Sequence, residues 1–154
     1  MEDGELRNRK WLNQLDYRFY FVRDTPVKDT LMQYFTTTSK ASRRAVDCVI
    51  VGIYERGKLG AGANDIDAAS KGAIKRLIKS GDLSSQLGSC TVLNDVAGVR
   101  AARVAVVGLG KASQFGASQF RTAFGSAVRS VSRSKAKSVL NSLTLESVDD
   151  TSVY

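Results

Sequence analysis

Gly108, Gly110 and Lys111 close an apolar run, Arg-Val-Ala-Val-Val-Gly-Leu-Gly-Lys from Arg103. Backbone N–H groups beside a lysine are the means by which a phosphate is cradled. The spacing departs from both familiar patterns: Gly108 stands only two positions before Gly110, Ala112 replaces the Ser or Thr of a Walker loop, and Ser113 occupies the third glycine of a dinucleotide fingerprint. A plain turn at a strand end is therefore expected first, and a phosphate loop second. Asp65 and Asp67 resemble paired carboxylates for acid and base work. Two residues apart on a helix they do not share a face, and capping at the positive end of the helix dipole explains them. Asp47 interrupts an apolar strand; an exposed strand start and a bond to a neighbouring backbone N–H both remain open for it. Cys48 and Cys90 each fall in a strand-like run and are expected as small buried hydrophobes, not a disulfide pair. Histidine is absent from the 154 residues, so Ser-His-Asp catalysis, Cys-His catalysis and His-ligated zinc have no place in this chain alone.

Charge is unevenly spread. Residues 1–31 carry six basic and six acidic side chains, so the net charge of +8 resides in the remainder. Between Lys111 and Leu145 there is no Asp or Glu, while Arg121, Arg129, Arg133, Lys135 and Lys137 follow one another. Such a field attracts nucleic acid or an acidic partner surface, and a solvated helix face is the bland alternative. Weak, sequence-indifferent DNA binding is the form the first reading would take.

These residues need elements to position them. Val46 to Tyr54, apolar apart from Asp47, and Arg103 to Val107, apolar after its first residue, have the pattern of strands covered on both faces. Glu55 to Asn64 contains three glycines and is expected as a loop, with Asn64 or Asp65 capping a helix along which Ile66, Ala69, Ala73, Ile74, Leu77 and Ile78 recur; Gly81 supplies its left-handed stop. Cys90 to Leu93 and the strand at Arg103 lie close enough to form a hairpin through Gly98. Ser118 is expected to cap a helix whose apolar stripe is Phe120, Ala123, Phe124, Ala127, Val128 and Val131. Val139 to Leu143 makes a last strand. Upstream, Met32 to Thr38 is β-prone and expected as a first strand, and Tyr17 to Val22 permits a short edge strand without an evident partner. The whole predicts an α/β fold with a mixed sheet flanked by helices.

At 154 residues and 43% hydrophobic content, one soluble domain is expected, with no apolar run of membrane-spanning length. The acidic first residues lack an apolar region behind them, which points to a cytoplasmic protein. Three segments are expected: 1–31, an extension contributing little to stability; 32–145, the domain; and 146–154, a polar tail or linker.

Asp47-Cys-Val-Ile-Val-Gly-Ile-Tyr-Glu, the Ile66 to Ile78 helix running into Ser80-Gly-Asp-Leu, and Arg103-Val-Ala-Val-Val-Gly-Leu-Gly-Lys, in this order, resemble the amino-terminal domain of leucyl aminopeptidases, the cytosol aminopeptidase family. The resemblance covers roughly Met32 to Leu143. It implies a macro-domain-like, three-layer architecture within a two-domain hydrolase, usually a hexamer, that removes amino-terminal residues from peptides with two divalent metal ions, zinc or manganese. Its metal ligands and arginine belong to a carboxyl-terminal domain bearing a stretch similar to Asn-Thr-Asp-Ala-Glu-Gly-Arg, which does not occur here. The resemblance thus implies a non-catalytic module for assembly and regulation, with the catalytic domain as its partner, no metal or catalytic residue of its own, and no membrane association. A free-standing macro-like module is the alternative. It would bind an ADP-ribose-type ligand, with Asp47 at the adenine and Gly108 and Gly110 at the diphosphate.

Overall fold

The computed structural model describes residues 19–22 and 33–147. Six strands form one mixed sheet: β1 (Phe19–Val22), β2 (Gln33–Thr36), β3 (Cys48–Tyr54), β4 (Cys90–Asn94), β5 (Arg103–Gly110) and β6 (Ser138–Asn141), in the order β2-β1-β6-β3-β5-β4. β3 lies at the centre, parallel to β5 on one side and to β6 on the other. The remaining pairings, β4 with β5 and β1 with both β6 and β2, are antiparallel.

Both central strands are buried along nearly their whole length. Their side chains alternate between two cores, as the period of a strand requires. Val49, Val51 and Ile53, with Val104 and Val106, meet Ala63 and Ile66 of α1 (Ala61–Ala69) and Ile74 of α2 (Ala73–Ser80). Cys48, Ile50 and Tyr54, with Ala105, Val107 and Leu109, meet Ala123, Ala127 and Val131 of α3 (Ala117–Ser132). The result is three layers, helix, sheet and helix. Ile66 and Ile74 are fully buried, and withdrawing either from water contributes about 2 kcal/mol.

Several sequence expectations are met in kind: the β4–β5 hairpin, the αL stop at Gly81 (φ 87°), and two free cysteines, Cys48 buried and Cys90 half-buried. Others are corrected. The glycine-rich loop ends early, because α1 starts at Ala61 with Gly60 as its N-cap, which places Asn64 and Asp65 inside the helix. The helix expected through Ile78 breaks in two where Lys71 and Gly72 both take positive φ. Ser118 lies within the first turn of α3; Gly116 is the N-cap, and its N–H donates to the side chain of Gln119 at 3.2 Å. Val128, placed in the apolar stripe, is 42% exposed.

The largest correction is at the amino-terminal side. β1 is not an edge strand, since it sits between β2 and β6 with a four-residue register to each. A boundary at residue 31 would remove a strand from inside the sheet. Starting the chain at Met32 is therefore expected to lower the melting temperature by roughly 4–8 °C, equivalent to about 2 kcal/mol. A thermal melt of the shortened chain that matches the full one to within about 1 °C would deny β1 this role.

Candidate functional site

In an α/β sheet the carboxyl ends of the parallel strands are the natural place for a site. Here β3 ends at Tyr54, β5 at Gly110 and β6 at Asn141, and the chain fills the space around them with its own groups. Glu146 reaches back from beyond β6. Its Oε1 accepts the Ala61 N–H at 2.7 Å, and its Oε2 accepts the Tyr54 hydroxyl at 2.9 Å. The first free N–H of α1 and the positive end of its dipole are thereby satisfied by a carboxylate from the same chain. The Tyr54 ring meets Phe115 edge-on, with centroids 5.5 Å apart, and Lys58 Nζ lies 5.4 Å from the Tyr54 centroid.

Burial pushes the Glu146 carboxyl above its ordinary value, and the Tyr54 hydroxyl, the Ala61 N–H and Lys58 offset this only in part. Burial, and then the adjoining Glu146 carboxylate, push the Tyr54 phenol up as well. The Cys48 thiol, deep in the sheet, is raised by burial to about 11, so it is not a nucleophile.

The glycines of the phosphate-loop reading lie inside β5, not in a turn after it. The Gly108 N–H donates to Ser89 O at 2.9 Å and the Gly110 N–H to Ser85 O at 3.0 Å, so neither points at an incoming anion. Gly108 is needed for close approach: a Cβ there would stand 2.0 Å from Gln86 O. Lys111 is exposed at the start of a short 3-10 turn.

Asp47 stands at the opposite end of the sheet. Its Oδ2 accepts the N–H groups of Lys137 (2.7 Å) and Ser138 (3.0 Å), while its own N–H donates to Ser138 Oγ. Burial pushes its carboxyl up, but the Lys137 and Ser138 N–H donors, the Ser138 hydroxyl and nearby Arg103 together outweigh that and leave it lowered. Both readings left open are found: Asp47 immediately precedes β3, partly exposed, and its carboxylate bonds backbone N–H groups. β3 and β5 run parallel, with Cys48 level with Arg103 and Tyr54 level with Gly110, so Asp47 and Gly110 are roughly 20 Å apart along the strands. The structure does not bring together the aspartate and glycines of the ADP-ribose reading.

Asp65 and Asp67, expected to cap the start of their own helix, lie inside α1 and accept N–H groups of other segments instead. Asp65 Oδ2 accepts the Ser42 N–H at 2.8 Å; Asp67 Oδ1 accepts the Lys75 N–H in the first turn of α2 at 3.0 Å, and its Oδ2 lies 3.8 Å from Lys75 Nζ. Arg121, Arg129, Arg133, Lys135 and Lys137 are all exposed. On the helical wheel the three arginines span an arc of roughly 120°, opposite the buried Ala123, Ala127 and Val131. Arg129 Nη2 donates to Ser126 Oγ at 2.9 Å. A second basic feature, which the sequence did not suggest, is an open cleft of about 680 Å³ whose lining includes Arg56, Lys75, Lys79, Ser84 and Ser85.

Among the described residues no three of His, Cys, Asp and Glu gather closely enough to hold a metal ion. The described residues therefore offer no seat for the two-metal centre, which the resemblance assigns to a carboxyl-terminal domain. Among the same residues no helix is long and apolar enough to cross a membrane.

The sequence profile of the cytosol aminopeptidase family, N-terminal domain, matches residues 50–153. A probable cytosol aminopeptidase of Stenotrophomonas maltophilia (strain K279a) is 42% identical over 116 residues, 75% of this chain and 24% of that protein. One of Cupriavidus taiwanensis (strain DSM 17343) is 45% identical over 94 residues, 61% of this chain and 18% of the relative. One of Xylella fastidiosa (strain M23) is 51% identical over 85 residues, 55% and 17% respectively. The chain thus matches about a quarter or less of the length of these relatives.

The two anchored carboxylates respond to pH in opposite senses. The folded state holds the Glu146 proton more firmly than the unfolded chain does, so its contribution is greatest below about 4.5 and declines as pH rises through the folded value. Asp47 contributes above its ordinary value of about 3.8, and that contribution is lost as pH falls through the lower folded value. Thermal melts across the acidic to neutral range are expected to show Glu146→Gln gaining on the native chain as pH rises. Asp47→Asn is expected to cost about 1 kcal/mol at neutral pH, after allowance for solvent exposure, or roughly 2–4 °C, and nothing once Asp47 is protonated. Parallel pH profiles for all three proteins would contradict both assignments.

Proposed function

Because the chain belongs to the cytosol aminopeptidase family, carrying its N-terminal domain, we propose that it is the non-catalytic amino-terminal module of a metal-dependent leucyl aminopeptidase, serving assembly and regulation. The observation that carries this reading is the profile match across residues 50–153, in a chain that matches a quarter or less of its relatives' length. In this reading the parent is a cytoplasmic hydrolase that removes amino-terminal residues from peptides. Two divalent ions, zinc or manganese, sit in its carboxyl-terminal domain, and its subunits form a hexamer. The fold of this module is macro-domain-like.

The chemistry of the strand ends supports a module that does not itself react. Both Glu146 oxygens are engaged by donors of the same chain, the Tyr54 proton is held by Glu146, and burial keeps Cys48 protonated. Among the described residues around the strand ends, no general base and nucleophile are left facing each other.

Leucine p-nitroanilide with added manganese tests the proposal. The 154-residue chain is expected to give no hydrolysis above the metal-only background, while a longer product of the same reading frame, containing a stretch similar to Asn-Thr-Asp-Ala-Glu-Gly-Arg, turns the substrate over. Saturable hydrolysis by the short chain, or a reading frame with no such stretch downstream, would overturn it.

A further inference from the structure

After β6 the chain does not leave the sheet freely. Ser142 donates to Ile50 O from both its N–H and its hydroxyl, and the Leu143 N–H donates to Asn141 Oδ1 at 3.1 Å. Leu143 is fully buried. One 3-10 turn, Leu143–Leu145, then carries Glu146 onto Tyr54 and the first N–H of α1.

The opposing surface is shaped for this crossing. A Cβ on Gly60 would stand 2.2 Å from Glu146 Oε1 and 2.8 Å from Gly52 O, and one on Gly62 would stand 2.0 Å from Ser142 Oγ. A Cβ at Gly60 would displace the Glu146 carboxylate, and one at Gly62 the Ser142 side chain. Gly60 has ordinary extended backbone (φ −69°, ψ 168°) and Gly62 lies within α1, so bare space and not backbone freedom is what is required of them.

Local stability does not require this arrangement. A half-buried carboxylate is costly, and the first N–H groups of a helix are commonly satisfied by water or a nearby side chain without a reach across the sheet. A carboxylate that follows the last strand, and reaches back 85 positions to Ala61 and 92 to Tyr54, ties the departing chain to two rigid elements at once.

We infer that residues 142–146 are a strap that fixes the direction in which the chain leaves this domain, with Glu146 as the positioning residue and Tyr54, Gly60 and the Ala61 N–H as its seat. The inference rests on the proposal that a catalytic domain follows. The strap then sets how that domain is held against this one, and hence how open the approach to its active site is.

The first test uses the 154-residue chain and amide hydrogen exchange read by NMR. Glu146→Ala is expected to speed exchange at Ala61 about tenfold while the central amides of β3 and β5 stay as slow as before. Glu146→Gln, whose amide oxygen still accepts the Ala61 N–H, restores protection; Gly60→Ala, by lifting the strap, copies Glu146→Ala. Ala61 exchange within about twofold of native in both Glu146→Ala and Gly60→Ala would overturn the strap. The second test uses the longer protein, with residual dipolar couplings reporting the relative orientation of the two domains. A fixed orientation that becomes averaged in Glu146→Ala and is retained in Glu146→Gln supports the positioning role; an orientation indifferent to both substitutions overturns it. Failure of either test leaves the proposed function intact, because that reading stands or falls on the leucine p-nitroanilide assay and the downstream reading frame.

Discussion

The fold depends on one pairing, the parallel register of β3 against β5. Val49 to Ile53 and Val104 to Val107 have no polar side chain among them, so the pair is stable only with apolar matter on both faces. That single requirement calls α1 and α2 to one side and α3 to the other. It also explains why the chain must make long crossings between strands that are neighbours in the sheet, since parallel strands cannot be joined by a tight turn. The antiparallel strands β4, β1 and β2 then extend the sheet outward from this centre.

The same pairing places the carboxyl ends of three parallel strands side by side, where α/β proteins commonly bind ligands. In this chain those ends are closed from within. The segment at Ser85 to Ser89 takes up the Gly108 and Gly110 N–H groups, and Glu146 takes up the start of α1. The groups that would greet an anion are engaged by carbonyl and carboxylate oxygens of the chain itself.

Much of this could be read from the residues, and the failures share a cause. β5, the β4–β5 hairpin and the buried face of α3 were legible because periodicity and turn residues are local signals. The early start of α1 was hidden because Ala-Gly-Ala-Asn reads as loop by propensity. Its helical state comes from packing against β3 and the segment after β6, and the two glycines are there to permit that approach. The break at Lys71 and Gly72 was masked by an apolar spacing that continues across it. Asp47 posed a correct puzzle without an answer, because its donors lie 90 and 91 positions away. Glu146 looked like the head of a polar tail. The one hint was that it ends a long stretch without acids, and no local rule says where such a residue reaches.

Calorimetric titration of the chain with ADP-ribose tests most directly whether its strand ends are closed. With Asp47 and the β5 glycines at opposite ends of the sheet and Glu146 seated on α1, no heat of binding is expected even at millimolar ligand. Saturable binding at micromolar ADP-ribose would contradict that closure and favour a ligand-binding macro-like module.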